Sequence, residues 1–227
     1  FDHGTHPKDW DPADFGLYEI PYFHRSGKGN YSLFMNNWYP LYQKTKGKSM
    51  IAIPTGNHDM QRPNAYSRKT MEDLKVTMTF YCLMPGSPVI YYGDEIGMRF
   101  QEGLPSKEGS DFRAGSRTPM QWTLGTNAGF STAASDKLYL PIETQGGKLT
   151  VEAQENDANS LLNYTRNLLA LRKQHPALGN RGDWELLSSK DQPYPLVYRR
   201  HLGNESFVIV LNPSDKALTV SIPSQHG

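Results

Sequence analysis

A single cysteine, Cys82, occurs in 227 residues, so no internal disulfide can staple the chain. Cys82 lies in an apolar, helix-like stretch and reads as a small buried hydrophobe. Long hydrophobic runs are also missing, and none approaches the ~18 residues that a membrane-spanning helix needs. A membrane is therefore not an expected partner. Charge of one sign is missing too: 24 Lys and Arg stand against 23 Asp and Glu, for a net charge of +1. Without a basic stripe, nucleic acid is not an expected partner either. Gly47-Lys48-Ser49 is not a phosphate-binding loop, because Tyr42 stands where the leading glycine is needed. The start, Phe1-Asp2-His3-Gly4, has neither an initiating Met nor a signal-peptide pattern and reads as an internal start. It leaves the compartment undetermined.

What is present suits a water-soluble globular protein, with 37% hydrophobic residues and a mean hydropathy of -0.63. The 20 glycines and 16 prolines exceed average usage and predict long, structured loops. Residues 1–30 read mostly as loop, with a short strand around Leu17 to Ile20. Residues 31–46 fit an amphipathic helix, with Leu33, Phe34, Trp38, Leu41 and Tyr42 at helical spacing and Pro40 predicting a kink or two short helices.

Met50-Ile51-Ala52-Ile53-Pro54 reads as a buried strand. A helix follows over 67–83, started by Ser67 or Thr70 and stopped by Pro85-Gly86. Ser87-Pro88-Val89-Ile90-Tyr91-Tyr92 is a second apolar run closed by Gly93. Strand, helix, strand, with both strands apolar throughout, is the pattern of a parallel sheet buried on both faces. Residues 97–158 show little periodicity. The clearest helix is 157–175, ended by Pro176. Beyond Gly182, short apolar runs at 184–187, 196–200, 207–211 and 218–222 predict antiparallel strands separated by turns. A domain boundary is expected near 180.

The first apolar strand ends in Thr55-Gly56-Asn57-His58-Asp59. A carboxamide, an imidazole and a carboxylate are thus delivered to the end of a strand, where parallel α/β architectures keep their chemistry. Arg62, three residues on, is near enough to hold a carboxylate ionised.

Three blocks occur in order: Thr55-Gly56-Asn57-His58-Asp59; Met84-Pro85-Gly86-Ser87-Pro88-Val89-Ile90-Tyr91-Tyr92-Gly93-Asp94-Glu95-Ile96-Gly97-Met98; and Ser116-Arg117-Thr118-Pro119-Met120-Gln121-Trp122. Together they resemble the α-amylase family of glycoside hydrolases, and most closely its α-glucosidase, oligo-1,6-glucosidase and trehalose-synthase-like members. The resemblance runs from about residue 31 onward. It implies a (β/α)₈ TIM barrel followed by an antiparallel β-sandwich, with residues 1–180 forming part of the barrel and 181–227 the C-terminal β-domain. It also implies a retaining double displacement on an α-glucan or maltooligosaccharide substrate.

By that resemblance Asp59 is the catalytic residue that stabilises the oxocarbenium-like transition state. Asn57, His58, Arg62 and Arg117 are the residues expected to bind or orient substrate. Asp94 and Glu95 are expected to be structural. Tyr91, Tyr92 and Trp122 are candidates for stacking on sugar rings.

The family's nucleophile and acid/base lie upstream of the Asn-His-Asp block. Forty-nine residues precede Met50, and they contain no Gly-Phe-Arg-x-Asp-like segment and no strand-end Glu in the right surroundings. A complete barrel takes ~250 residues. The chain therefore reads as the C-terminal portion of such an enzyme, carrying about the last two to three βα units, and is expected to be inactive alone. The alternative is a non-catalytic carbohydrate-binding or assembly module of the same fold. No cofactor is expected; the resemblance implies that any Ca²⁺ site belongs to a longer parent. Asp2, His3, His6 and Asp9, a terminal cluster of ligand-type residues, are read as polar chain rather than a metal site. An incomplete barrel would leave an apolar sheet edge, which predicts self-association.

Overall fold

The computed structural model describes residues 31–59, 61–65, 70–105, 111–143, 147–189 and 194–222. The expected strand near residue 18, the Asp2 to Asp9 cluster, Ser67 and the side chains of Leu33 and Phe34 lie outside the described residues.

Helix α1 (Ser32–Thr45) runs through Pro40 without dividing. Asn36, whose carbonyl loses its partner to Pro40, is on the exposed face, where water can take the bond. Strand β1 (Ala52–Pro54) pairs in parallel with β2 (Ser87–Val89), in the register Ala52 to Ser87 and Pro54 to Val89. The connection between them is helix α2 (Met71–Leu83). Its start is fixed by a capping box: the Thr70 hydroxyl accepts from the Asp73 amide at 3.2 Å, and the Asp73 carboxylate accepts from the Thr70 amide at 3.3 Å. The result is one βαβ unit. The second strand is shorter than the apolar run that predicts it: regular pairing stops at Val89 and the chain turns into the Asp94–Ile96 helical turn.

The long segment after β2 carries helical turns and a short helix, α3 (Val151–Glu155), then α4 (Leu161–Gln174), which packs on α2. α4 begins at Leu161, later than its apolar pattern suggests, because Ser160 caps it by accepting from the Asn163 amide. Three antiparallel strands follow: β3 (Asp183–Leu186), β4 (Leu196–Leu202) and β5 (Glu205–Leu211), in the order β3-β4-β5. Residues 218–222 do not form the expected fourth strand; Leu218 and Ile222 are exposed and pair with nothing in the sheet. Among the described residues the C-terminal sheet is a single layer, not the two layers of a sandwich.

One hydrophobic core joins these parts. Trp38 and Tyr42 from α1 stack at 4.9 Å, and Trp38 meets Trp184 of β3 edge-on at 5.1 Å. Leu74, Met78 and Cys82 of α2, Leu161 and Leu168 of α4, and Leu196, Tyr198 and Ile209 of the sheet belong to the same cluster. Burial pushes the Cys82 thiol up to about 11, so it stays neutral and inert. The carbonyls at the C-terminus of α2 would be orphans, and two guanidinium groups from distant elements take them. Arg172 of α4 donates to the carbonyls of Cys82 (2.8 Å), Met84 (2.9 Å) and Gly86. Arg200 of β4, wholly buried, donates to Leu83 (2.6 Å) and Gly179 (2.5 Å).

Candidate active site

The loops that follow β1 and β2 leave the C-terminal ends of two parallel strands, and the residues singled out in sequence sit on them. A buried polar chain ties the two loops together. The Thr55 hydroxyl donates to Asp94 Oδ2 at 2.6 Å and accepts from the Tyr91 amide at 3.0 Å. Arg62 Nη1 donates to Asp94 Oδ1 at 2.9 Å and to the Tyr92 carbonyl at 2.6 Å, while Nη2 reaches the Ser116 carbonyl at 2.9 Å. The guanidinium carbon lies 5.0 and 4.9 Å from the ring centres of Tyr91 and Tyr92, within cation–π range. Burial pushes the Asp94 carboxyl up to about 6, against the pull of Arg62 and Thr55, so it remains ionised at neutral pH.

Gly93 makes this packing possible. Its φ of +85° is left-handed, and a Cβ there would strike Met98 and crowd Arg62 Nη1.

Arg62 therefore corrects the expectation of a sugar contact. Its side chain is 0% exposed, and its carboxylate partner is Asp94, not Asp59. It locks the loop after β1 to Tyr92 and to Ser116, which immediately precedes Arg117.

Asp59 points the other way, with 42% of its side chain exposed. The Asn57 side-chain oxygen accepts from the Asp59 amide at 2.7 Å, a local turn that presents the carboxylate outward. Arg113 Nη1 lies 2.8 Å and Arg117 Nη2 3.1 Å from the same Oδ1, and His58 Nε2 is 3.2 Å from Oδ2. Arg117 Nε also donates to the His58 carbonyl at 2.8 Å, pinning the tip of the loop. The hydrogen bond from Arg113 holds the Asp59 carboxyl below its usual range, and His58 and Arg117 act in the same direction against slight desolvation. The site thus presents a carboxylate that stays ionised into acid, flanked by two guanidinium groups.

Asn57, His58, Asp59 and Arg117 converge, as the sequence blocks suggest. Arg113 is the residue that sequence reading missed. It lies in the Asp111–Ser116 helical turn, 54 positions from Asp59, and its one signal was its place four residues before Arg117. Tyr92 and Trp122 are partly exposed near Arg117. Among the described residues no group of three or more His, Cys, Asp or Glu is arranged to hold a metal ion.

This geometry of paired parallel strands with a charged site at their C-terminal ends is matched by comparison with known proteins. The alpha-amylase catalytic-domain family model matches residues 20–181, most of the chain, and the chain belongs to that family. The family's fold contains a TIM barrel, of which the βαβ unit is a part. The trehalose synthase/amylase TreS of Mycobacterium tuberculosis is 43% identical over 132 residues, covering 56% of this chain and 21% of its own. Oligo-1,6-glucosidase from Parageobacillus thermoglucosidasius is 31% identical over 224 residues, covering 83% of this chain and 38% of its own. Among solved structures, a mutant isomaltulose synthase from Erwinia rhapontici NX5, in complex with its natural substrate sucrose, superposes with a TM-score of 0.69 at 24% identity, covering 86% of this chain and 41% of the synthase. The chain spans about a fifth to two fifths of the length of the relatives it matches.

Proposed function

We propose that this chain supplies the transition-state-stabilising carboxylate, Asp59, to a retaining glycosidase or transglucosidase acting on α-linked glucosides. The observation that carries this reading is the Asp59 carboxylate itself: outward-facing at the end of β1, kept ionised by Arg113 and Arg117, and beside the His58 imidazole. An ionised carboxylate beside the anomeric carbon favours an oxocarbenium-like transition state over the neutral ground state. Asn57 would orient the loop, His58 would hydrogen-bond a sugar hydroxyl, and Arg117 would face the acceptor side of the cleft. Arg62 acts by holding the loops together.

A double displacement also needs a nucleophile and an acid/base about 5 Å apart. The near candidates are committed elsewhere: Asp94 to Arg62 and Thr55, and Glu95 to its own backbone and that of Gly93. We therefore read this chain as one part of the catalytic machinery, inactive by itself, with residues 1–180 as part of the barrel and 181–227 as a C-terminal β-domain. Relatives named as trehalose synthases and as oligo-1,6-glucosidases support both transfer and hydrolysis as outcomes of one chemistry. The substrate class is an α-glucan or maltooligosaccharide. Met50, 64% exposed, and Val89, 47% exposed, flank the short parallel pair and support association of this edge with further barrel strands or a second copy.

The test is hydrolysis of p-nitrophenyl α-glucoside by the chain alone and mixed with a protein that supplies the upstream barrel strands. Activity on mixing alone, lost in D59N, is the expected result. Turnover by the chain alone, or full activity of the D59N mixture, would overturn the assignment.

A further inference from the structure

On the far side of Arg117 from Asp59, a cleft of about 480 Å³ opens between the segment after β2 and the loop that follows Trp122. Its volume falls within the range of small-molecule sites, about 300–1,000 Å³. Three large aromatics share this one concavity while half exposed: Trp122 at 49%, Phe130 at 50% and Tyr139 at 51%. Clustered exposed aromatics, unlike scattered ones, mark a recognition surface.

The platform is stiff. The Trp122 amide donates to the Ala128 carbonyl at 2.8 Å, and the Trp122 carbonyl accepts from the Glu152 amide at 2.9 Å. Phe130 follows a turn in which Asn127 and Ala128 both adopt left-handed φ, at 49° and 50°. Asn127 is locked there by bonds to the carbonyls of Ser131 (2.9 Å) and Ala133 (2.7 Å) and from the Ser135 hydroxyl (2.7 Å). Two non-glycine residues in a strained conformation, over-determined by hydrogen bonds, hold the aromatic wall in place.

The cleft also carries polar groups aimed at a ligand with hydroxyls. Glu95 lines it, and its Oε2 is buried without a hydrogen-bond partner. A buried acceptor left open favours a donor that arrives with the ligand. Arg117 supplies guanidinium donors at the boundary with Asp59. Flat apolar rings with an acceptor and a donor at the margin match a pyranose, which offers a C–H face to an aromatic ring and hydroxyls around its edge.

We infer that this cleft binds a sugar ring of an oligosaccharide, with Trp122 as the stacking platform, Phe130 and Tyr139 as walls, and Glu95 accepting from ring hydroxyls. The choice of an α-linked glucose oligomer rests on the proposed function; the recognition of a sugar rests on the cleft. Because Arg117 separates this cleft from Asp59, the substrate would extend beyond the glucosyl unit at Asp59.

The test is titration of the full chain with maltotriose, followed by saturation-transfer NMR and by intrinsic fluorescence. Trp122 is the exposed reporter; Trp38 and Trp184 are buried at 5% and 7%. Saturable binding is expected, with the fluorescence change abolished in W122F. Affinity should fall about tenfold in W122A, the loss of one stacking contact with its buried area. E95Q should weaken binding severalfold with an unchanged melting curve, and Y139A serves as a second wall variant should W122A unfold. Absence of saturable binding by the wild-type chain, or unchanged affinity in folded W122A and Y139A, would overturn the proposal. Maltotriose binding through Trp122 without any restored glycosidase activity would keep the cleft and sink the catalytic reading. Restored activity with binding indifferent to Trp122 and Tyr139 would do the reverse.

Discussion

Replacing Arg62 by Met tests the buried frame beneath Asp59. The substitution keeps an apolar stem of similar reach but removes bonds to Asp94, to the Tyr92 carbonyl and to the Ser116 carbonyl. Asp94 is then a wholly buried carboxylate with Thr55 as its remaining side-chain partner. Breaking a buried ion pair from one side costs about 3–5 kcal/mol, because the other charge stays behind uncompensated. That is a large part of the roughly 5–15 kcal/mol by which a domain is stable.

The loss must depend on pH in a particular direction. Asp94 already titrates near 6 with Arg62 beside it, above the ordinary 3.8. Without Arg62 its folded pKa rises further, so the folded variant binds more protons than the unfolded chain over a wider range. A raised carboxyl contributes stability that is full below the unfolded value and is lost as pH rises through the folded value. The deficit of R62M should therefore be small near pH 5 and reach its full size by pH 8. R62M/D94N, which removes the stranded charge, should be more stable than R62M at pH 8 by more than about 1 kcal/mol. Urea unfolding followed by far-ultraviolet circular dichroism at pH 5, 6.5 and 8 measures all three proteins. An R62M deficit under about 1 kcal/mol at pH 8, or one that grows toward acid, would refute the reasoning.

Two further outcomes follow from the other carboxylates. R113A should raise the Asp59 pKa toward the ordinary aspartate value, and R117A should raise it less, since Arg113 makes the leading contact; carbon-detected NMR titration of Asp59 reads both, and an unmoved pKa in R113A would contradict the site's electrostatics. Glu205 accepts from the Ala177 amide and pairs with His175, which holds its carboxyl below the usual range; E205Q should be less stable than wild type at neutral pH, with a deficit that vanishes as pH falls through the depressed folded value, and a deficit unchanged at pH 3 would exclude this account.

How much of this was legible in sequence depends on which force shapes each element. Where hydrophobic burial dominates, the pattern is periodic and readable. The apolar positions of α2, namely Leu74, Met78 and Cys82, are buried, and the runs at 184–187, 196–200 and 207–211 became β3, β4 and β5 within a few residues. Residues 218–222 carry the same alternation yet stay unpaired, because a strand needs a partner edge as well as a pattern. The segment 97–158 was opaque for the opposite reason. Asn127, Gln121 and Gln154 organise it through side-chain bonds to backbone carbonyls, which leave no hydrophobic period.

The two arginines near Asp59 show the limit most sharply. Arg62 is three residues from Asp59, and Arg113 is fifty-four. Proximity along the chain favoured Arg62. But the turn made by Asn57 sends Asp59 outward, while the chain running on to Asn64 returns to the interior; Asn64 pairs with Arg99 and donates to the Gly97 carbonyl at 2.6 Å. Arg62 is thereby drawn to the carboxylate at the end of β2, and the guanidinium for Asp59 has to come from a different loop. The exchange has a physical logic. A fully buried pair fixes the loops, and a separate, half-exposed set of charges is left free to face a ligand. The residue that determines where Asp59 sits is thus not one that touches it, and R62M should disturb the Asp59 titration as well as the stability, because Ser116, which Arg62 holds, adjoins Arg117.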